Sequence, residues 1–362
     1  MLKTARYELN PLISPDDVAP ILEGCEVVGV FNAASAVFHD EIILILRVAE
    51  RPKESQGHQV NIPIYQSTSK RVEFTTLDRN DSQYDFSDSR VVQIAGSSSG
   101  QYLTSMSYLR LARSHDGYHF RVEDKPFLFP DNDMEEFGIE DPRCAKLGDT
   151  FSITYTAVSR HGASVGLATT KDFQTVMRKG IIFPPENKDV VLFPEMINGR
   201  YYAIHRPVPH GLGAPEMWIS DSKEGTHWGN HRFFLGLRPG HWDSQRIGAG
   251  AVPIKTQQGW LEIYHAVDDD GRYCLGCVLL DLQDPSRILA RLDAPIVVPE
   301  ANYEVHGFYP NVIFTCGVVV FGELLRIYYG AADYAVACLD LSLPELLDEL
   351  TSASQSCEAS LV

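Results

Sequence analysis

The sequence is poor in positive charge. Its 31 lysine and arginine residues face 48 aspartate and glutamate residues, which gives a formal net charge of −17 at pH 7. This surplus of acid argues against a nucleic-acid partner, because Lys and Arg side chains must replace the counterions of the phosphate backbone. It still allows a small anionic ligand, since a local basic pocket can lie inside an acidic protein.

No segment of the sequence predicts insertion into a membrane or export. No stretch approaches the ~18 apolar residues of a membrane span. The first residues, MLKTARYELNPL, lack the apolar region of a signal peptide. The sequence therefore predicts a cytoplasmic protein without a membrane partner.

The cysteines form neither a disulfide framework nor a zinc motif. Their number is odd, and they are scattered at Cys25, Cys144, Cys274, Cys277, Cys316, Cys338 and Cys357. Cys274 and Cys277 make a CxxC pair, but a zinc site needs a second such pair or histidines at ligand spacing. The P-loop, GxGxxG and GxSxG motifs are also missing. We expect no metal and no organic cofactor, and we interpret the CxxC pair as buried strand residues.

What the sequence has in abundance is turn residues and a repeated pattern. It contains 27 glycines and 21 prolines, which favours many short strands joined by turns. Five segments share one layout, in which an apolar strand and a tight turn precede a strand rich in aromatic and β-branched residues. They are FNAASAVFHDEIILILRVAE from Phe31, EDPRCAKLGDTFSITYTAVS from Glu140, FPEMINGRYYAIHRP from Phe193, GAGAVPIKTQQGWLEIYHAV from Gly248 and PNVIFTCGVVVFGELLRIYYGAAD from Pro310.

The repeat predicts an all-β, five-bladed β-propeller over residues 1–341. The last four copies start 53 to 62 residues apart, a spacing typical of propeller blades. Two packed β-sandwiches are the alternative, but they do not explain why one motif recurs five times. The long first gap holds residues 51–101, which we interpret as a polar loop insertion without its own core, overhanging the channel or serving as a subunit contact. Residues 342–362 predict a short helix, Pro344 to Leu350, and a flexible Ser-rich tail.

The second strand of each copy ends on a side chain that is able to do chemistry. In a propeller, equivalent positions of all blades meet at one end of the central channel. The repeat therefore predicts one shared pocket for Arg47, Thr156, Arg206, His265 and Asp333.

Asp141 is the candidate for acid–base chemistry. It lies in GIEDPR at the start of the second copy, where Glu140 and Arg143 place charges beside it. Pro142 favours an extended backbone at Asp141. Cleavage of a glycosidic bond needs a carboxyl group that protonates the leaving oxygen. The alternative is an aspartate that pairs with Arg143 for structure alone.

Three basic side chains together predict an anion site. Lys188 lies in ENKDVVLFPE, Arg206 in IHRPVP and His265 in IYHAVD, at or just before equivalent ends of neighbouring copies. Arginine grips two oxygens at once, lysine supplies a point charge and histidine donates a hydrogen bond. Each residue alone is more often structural, so the prediction depends on their convergence.

Further polar and aromatic residues predict a sugar site around the same pocket. The candidates for substrate binding are Asn32, Arg47, Glu140, Asp243, Tyr303, Asn311 and Asp333. The other aromatic candidates for stacking on a pyranose ring are Phe308, Tyr309, Tyr328 and Tyr329. At least half of the aromatic set is expected to lie in the core instead.

Several motifs of the chain resemble those of glycoside hydrolase family 130, the β-mannoside phosphorylases and related mannosidases on a five-bladed propeller. In chain order they are FGIEDPR, PPENKDVVLFPE, HRPVP, WDSQRIGAGAVPIKT, GWLEIYHAVD and YYGAAD. The resemblance covers nearly the whole chain, from RYELNPLISPDDVAP to YYGAADYAVACLDL. It implies that Asp141 is the general acid and that Lys188, Arg206 and His265 bind phosphate as a co-substrate. Hydrolysing members tend to lose this basic set, so the resemblance favours phosphorolysis.

Within the family, the chain looks most like the β-1,2-mannobiose and β-1,2-oligomannoside phosphorylases. The segments that carry this likeness are ENKDVVLFPE, HRPVPHG, HWGNH, RYCLG and YEVHGFYPNVIFTCG. The resemblance implies inverting, reversible phosphorolysis of a mannooligosaccharide, giving α-D-mannose 1-phosphate and a shortened acceptor. The stretch Gly307–Asn311 departs from the GFFGN of those enzymes, so the acceptor and the preferred chain length stay open.

Two rival functions also stay open on the sequence alone. A β-mannosidase would use water and a second carboxylate, with Glu195, Glu216 and Asp243 as candidates. A non-catalytic carbohydrate-binding propeller would bind sugar without forming a product, and Asp141 would be dispensable. The sequence does not determine the linkage or the synthetic or degradative role. It also leaves the oligomeric state open, so a homo-oligomer is compatible with it.

Overall fold

The computed structural model describes residues 3–53, 57–96 and 100–359, and for residues 100 and 353–359 it describes the backbone only. The first fourteen strands are β1 Ala5–Arg6, β2 Cys25–Phe38, β3 Glu41–Pro52, β4 Gln59–Gln66, β5 Arg71–Asp78, β6 Tyr84–Asp85, β7 Val91–Ile94, β8 Gly100–Leu103, β9 Met106–Ser114, β10 Arg121–Leu128, β11 Gly138–Leu147, β12 Thr150–Ser159, β13 Gly162–Thr170 and β14 Met177–Phe183. The remaining strands are β15 Asn187–Leu192, β16 Tyr201–Pro207, β17 Met217–Ser222, β18 Gly229–Leu235, β19 Arg246–Ala249, β20 Ile254–Lys255, β21 Trp260–Val267, β22 Tyr273–Leu280, β23 Ile288–Arg291, β24 Ile313–Phe321, β25 Leu324–Ala331 and β26 Ala335–Ser342. The helical segments are the 3-10 turns Pro15–Asp17 and Asp133–Glu135, α1 Asn302–Val305 and α2 Leu343–Ala359.

Outside the insertion, which holds β4 to β8, the strands pair in five antiparallel groups. They are β2-β3-β9-β10, β11-β12-β13-β14, β15-β16-β17-β18, β19-β21-β22-β23 with β20 beside β21, and β24-β25-β26-β1. Single parallel bridges, Ala34 to Cys316 and Ser107 to Gly138, join the first group to the fifth and to the second. The result is one 12-stranded sheet and two smaller main sheets, and the described strands do not close into a ring of hydrogen bonds. The prediction of an all-β fold with a C-terminal helix is confirmed.

The run IILIL in β3 shows how the core is built. Successive side chains of a strand point to opposite faces of the sheet. Ile43 and Ile45 accordingly pack into one hydrophobic cluster. Ile42, Leu44 and Leu46 pack into a different one on the other face. Because both faces of the strand are covered, its sequence is continuously apolar rather than alternating.

The insertion differs from the sequence-based expectation. The described part of this segment contains the hairpin β4-β5 and the three-stranded sheet β6-β7-β8, whose last strand ends at Leu103. Alternate apolar side chains of these strands, among them Ile62, Leu77 and Val92, are buried in a small cluster with Phe137. The prediction of a loop without its own core is therefore wrong. The polar composition concealed it because one face of each short strand remains in solvent.

The helix α2 is longer than predicted and is anchored to the main core. It continues past Leu350 to Ala359, while residues 360–362 of the predicted flexible tail lie outside the described residues. Its buried side chains Leu346, Leu347 and Leu350 share a cluster with the strands β22, β25 and β26. None of the helices in the described part of the chain combines the length and apolar character of a membrane span.

Replacing Leu346 tests whether α2 is part of the cooperative core. Leu346 is fully buried, so Leu346→Ala should lower the free energy of unfolding by about 3 kcal/mol through lost burial and a cavity. Chemical denaturation measures this difference. Leu212 is 94% exposed, so Leu212→Ala is the matched control and should leave stability unchanged. Equal stability of the two variants would show that α2 docks only loosely.

Candidate active site

One cavity gathers most of the predicted functional residues. It has a volume of about 300 Å³ and receives side chains from all five strand groups and from the insertion. Its polar lining residues are Asn32, Arg47, Arg90, Ser105, Glu140, Asp141, Lys188, Asp189, Arg206, Arg246, His265, Tyr273, Tyr309 and Asp333.

Bulges on the first strands of three groups place the polar groups at this cavity. The register shifts beside Asn32 in β2, Asp141 in β11 and Asp189 in β15. These residues adopt φ values of 49°, 46° and 54°. Asn and Asp tolerate this left-handed conformation better than other non-glycine residues. A bulge re-aims a side chain, and here each one adds a polar group to the cavity wall.

Asp141 lies in a charged cluster with Arg47. Its Oδ1 accepts hydrogen bonds from Asn32 Nδ2 and Arg47 Nη1, both at 2.9 Å. Arg47 also donates from Nη2 to Glu140 Oε1 at 2.8 Å. Burial raises the pKa of Asp141, but the positive charges of Arg47 and Arg143 outweigh it and hold that pKa below its usual range. In the protein alone Asp141 is a carboxylate.

Asp333 behaves in the opposite way. Its side chain makes no hydrogen bond or ion pair with another of the described residues, and it lines the same cavity. Burial raises its pKa to about 6, assisted by the charge of Asp141 and opposed by Arg47. The cavity therefore holds two acids whose pKa values are shifted in opposite directions, that of Asp141 downward and that of Asp333 upward to about 6.

The three predicted basic residues converge on this cavity. Lys188 Nζ lies 3.8 Å from Glu140 Oε2. Arg206 Nε donates to Asp189 Oδ2 at 2.8 Å, and His265 Nε2 lies 3.3 Å from the same oxygen. Burial lowers the pKa of His265 although Asp189 opposes this shift, so its imidazole is neutral at pH 7. Lys188, Arg206 and His265 all line the cavity, and their role in binding an anion stays a prediction.

Guanidinium and aromatic groups form another part of the wall. Arg90, from the insertion, lies over the ring of Tyr309 at 4.3 Å from its centroid. Two hydrogen bonds to Asp88 hold its guanidinium group. Arg246 Nη1 donates to the hydroxyl group of Tyr273 at 2.8 Å. The insertion therefore contributes Arg90 to the wall of the pocket.

Three predicted substrate-binding residues do not line the cavity. Asp243 is fully buried in ion pairs with Arg238 and Arg291. The Tyr303 hydroxyl group accepts a hydrogen bond from Asn10 Nδ2, and its ring packs against the main core. Asn311 has a left-handed φ of 61°, and its carbonyl oxygen accepts the backbone N–H of the first residue of β22.

The other candidates divide between the cavity and the rest of the molecule. Phe308 and Tyr309 line the cavity, whereas Tyr328 and Tyr329 are buried in the core, as expected for about half of the aromatic set. Thr156 is buried in β12 and does not line the cavity. The candidates for the second carboxylate of a hydrolase, Glu195, Glu216 and Asp243, also lie outside its lining.

Comparison with known proteins places this site in a family. A family model described as beta-1,4-mannooligosaccharide phosphorylase, Glyco_hydro_130, matches residues 48–352. The chain belongs to glycoside hydrolase family 130.

Two named relatives match over most or all of their length. The chain is 47% identical over 346 residues to the beta-1,2-mannobiose phosphorylase of Listeria innocua, which covers 95% of this chain and 98% of that protein. It is 39% identical over 250 residues to the 1,2-beta-oligomannan phosphorylase of Thermoanaerobacter sp., which covers 68% of this chain and 81% of that protein. The solved complex of the Listeria innocua enzyme with beta-1,2-mannobiose superposes with a TM-score of 0.94 at 46% identity, over 96% of this chain and 99% of that chain.

Sequence reasoning missed several residues of this family 130 site. Asp189 follows Lys188 directly but lies four residues before the third copy, which begins at Phe193. Its correspondence to Asn32 and Asp141 is visible in the structure, where all three occupy bulges of the first strands of their groups. Arg90 had no signal either, because it belongs to the insertion and not to the repeat. Tyr273 opens a third strand, which the repeated motif did not include.

Replacing Asp243 tests its reassignment from substrate binding to structure. Asp243→Asn would leave Arg238 and Arg291 without their buried counter-charge and should lower the free energy of unfolding by about 3 kcal/mol. Asp293 binds the same Arg238 from a 93% exposed side chain, so Asp293→Asn is the matched control and should have little effect. Denaturant unfolding of both variants measures this. Lost mannoside affinity with unchanged stability in Asp243→Asn would restore the substrate-binding role.

Proposed function

We propose that this protein catalyses the inverting, reversible phosphorolysis of terminal β-mannosides, with a β-1,2 linkage. The products are α-D-mannose 1-phosphate and a shortened acceptor. The observation that carries this proposal is the meeting of Asp141 with Lys188, Arg206 and His265 in one cavity. The names of the two family relatives, a β-1,2-mannobiose and a 1,2-β-oligomannan phosphorylase, support the reaction and the linkage.

In this proposal the basic groups hold the nucleophile. Phosphate would lie against Arg206, Lys188 and the His265 imidazole, which can bind its oxygens by charge and by hydrogen bonds. A phosphate oxygen attacks the anomeric carbon while the leaving oxygen takes a proton that Asp141 supplies, directly or through a sugar hydroxyl group. A single displacement inverts the anomeric centre, and phosphate takes the place of the base-activated water of an inverting hydrolase.

The charge balance of the cavity links phosphate to the acid. In the protein alone, Arg47 and Arg143 keep the pKa of Asp141 low. A general acid must instead be protonated when the reaction starts. A phosphate dianion bound nearby would offset these positive charges and raise the pKa of Asp141. Phosphate would therefore serve as nucleophile and also allow the acid to keep its proton.

A phosphate-independent β-mannosidase is the rival within the enzyme class. It needs a second carboxylate that activates water. Glu140 is engaged by Arg47 and Lys188, so Asp333 is the carboxyl group of the cavity that could take this part. A non-catalytic carbohydrate-binding protein would not require the hydrogen-bonded cluster of Asp141, Asn32 and Arg47. No metal or organic cofactor enters the proposed reaction, and inorganic phosphate is the co-substrate.

We also propose that the five strand groups are the blades of a five-bladed propeller spanning residues 1–341. Each group has four principal strands, and all five groups contribute to the one cavity, as blades around an axis would. A cytoplasmic location and a homo-oligomeric state complete the proposal. They rest on the sequence expectation and on the family resemblance.

The decisive assay compares the purified protein with and without inorganic phosphate on β-1,2-mannobiose. Mannose 1-phosphate should form only when phosphate is present. Asp141→Asn should lower turnover by about 10²-fold or more while leaving the circular dichroism spectrum unchanged. Asp293→Asn is the surface control and should retain full activity.

Three outcomes would contradict parts of the proposal. Free mannose that forms at the same rate without phosphate would make the protein a hydrolase. Near-normal activity of Asp141→Asn would remove that residue from catalysis. Faster phosphorolysis of β-1,4-mannobiose than of the β-1,2 isomer would change the assigned linkage.

A further inference from the structure

Asp189 is a buried acid that the proposed reaction does not use. It lies in the β15 bulge beside Lys188, with a left-handed φ of 54° and a side chain that is 2% exposed. An ionised carboxylate is costly to bury unless it is paired and hydrogen-bonded. The groups around Asp189 should therefore include the partners that offset the cost of burying its charge.

The two oxygens of Asp189 contact different cationic or hydrogen-bonding partners. Oδ1 accepts from Arg143 Nη2 at 3.1 Å. Oδ2 accepts from Arg206 Nε at 2.8 Å and lies 3.3 Å from His265 Nε2. The carboxylate thus contacts two of the three basic groups assigned to phosphate, those of Arg206 and His265. It also contacts the fully buried guanidinium group of Arg143.

The bond to Arg206 fixes how that side chain faces the cavity. Asp189 takes Nε, and the two terminal guanidinium nitrogens make no hydrogen bond with any of the described residues. Arg206 lines the cavity, so these nitrogens remain available for ligand oxygens. Arg143 differs, because it also donates to the carbonyl oxygens of Asp141, Ala249 and Gly250, so each of its three guanidinium nitrogens is bound by the protein.

A glycine makes room for this arrangement. A Cβ atom at Gly248 would collide with both the Asp189 carboxylate and the His265 ring. Its backbone φ does not lie in the left-handed region, so the conformation does not require glycine. The absence of a side chain instead allows Asp189 to approach His265.

We propose that Asp189 is a positioning residue of the phosphate site. Its carboxylate holds Arg206 by Nε and keeps His265 beside it, so that the terminal nitrogens of Arg206 point at the phosphate. This inference rests on the proposed function, since it names the residue that orders the phosphate-binding set of that reaction. Asp189 itself touches neither phosphate nor sugar.

Electrostatics alone predicts the opposite result, which makes the proposal testable. Removing a negative charge beside Arg143, Arg206 and Lys188 increases the positive charge of the pocket and should tighten the binding of an anion. Removing a positioning contact should weaken it, because Arg206 loses the bond that orients it. The Michaelis constant for phosphate should fall if only charge matters and rise if Asp189 positions Arg206, so the direction of its change separates the two explanations.

The first variant is Asp189→Asn, assayed with β-1,2-mannobiose at varied phosphate. We expect the Michaelis constant for phosphate to rise about tenfold or more, as for the loss of a hydrogen bond to a charged group, with a smaller change in kcat. Asp293→Asn is the control, because it makes the same substitution in a carboxylate that pairs with an arginine and does not line the cavity. It should leave the Michaelis constant for phosphate unchanged.

Gly248→Ala is the second variant and keeps every charge. Its methyl group should push the carboxylate away from His265 and raise the Michaelis constant for phosphate in the same direction. It decides the matter if Asp189→Asn fails to fold. If the wild-type reaction requires phosphate, an unchanged or lowered Michaelis constant for phosphate in both variants would overturn the positioning role. If Asp189→Asn does not fold, the same result in Gly248→Ala would overturn it. A wild-type protein that releases mannose without phosphate would overturn the proposed function and, with it, this inference.

Discussion

The site depends on one buried guanidinium group. Arg143 is 2% exposed and donates to the carbonyl oxygens of Asp141, Ala249 and Gly250 and to the Asp189 carboxylate. These partners belong to three different strand groups, so a single side chain fixes their relative positions. Removing a partner of a buried charge is costly, so the loss of any one of these contacts should destabilise the site. The sequence-based alternative was an aspartate that pairs with Arg143 for structure alone. In the structure Arg143 binds the backbone carbonyl oxygen of Asp141, while the Asp141 carboxylate pairs with Arg47.

The repeat made much of the site predictable. A motif that recurs in all strand groups places equivalent residues around one pocket, and this reasoning located Arg47, Arg206, His265 and Asp333 without any homologous structure. Asp189 lies outside the repeat, because the third copy begins at Phe193. Its bulge corresponds to those of Asn32 and Asp141 only once the strand pairing is known.

Other parts could not be predicted, for physical reasons. Arg90 reaches the pocket from the insertion, whose small core depends on alternation over very short strands that a polar composition conceals. Asp243 lies in a distinctive motif, yet its carboxylate neutralises Arg238 and Arg291 away from the cavity. A sequence shows that an acid is present but does not show which of its neighbours it will face. The length of α2 was underestimated because its Ser-rich end has no apolar stripe.

In the proposed reaction, phosphate itself displaces the glycosidic oxygen in one step. A phosphorus and proton NMR time course of the purified protein with β-1,2-mannobiose and phosphate would follow this step. α-D-Mannose 1-phosphate should be the first sugar phosphate, formed together with one free mannose for each disaccharide consumed. The β-anomer as first product, or two free mannoses with no sugar phosphate, would contradict this reaction.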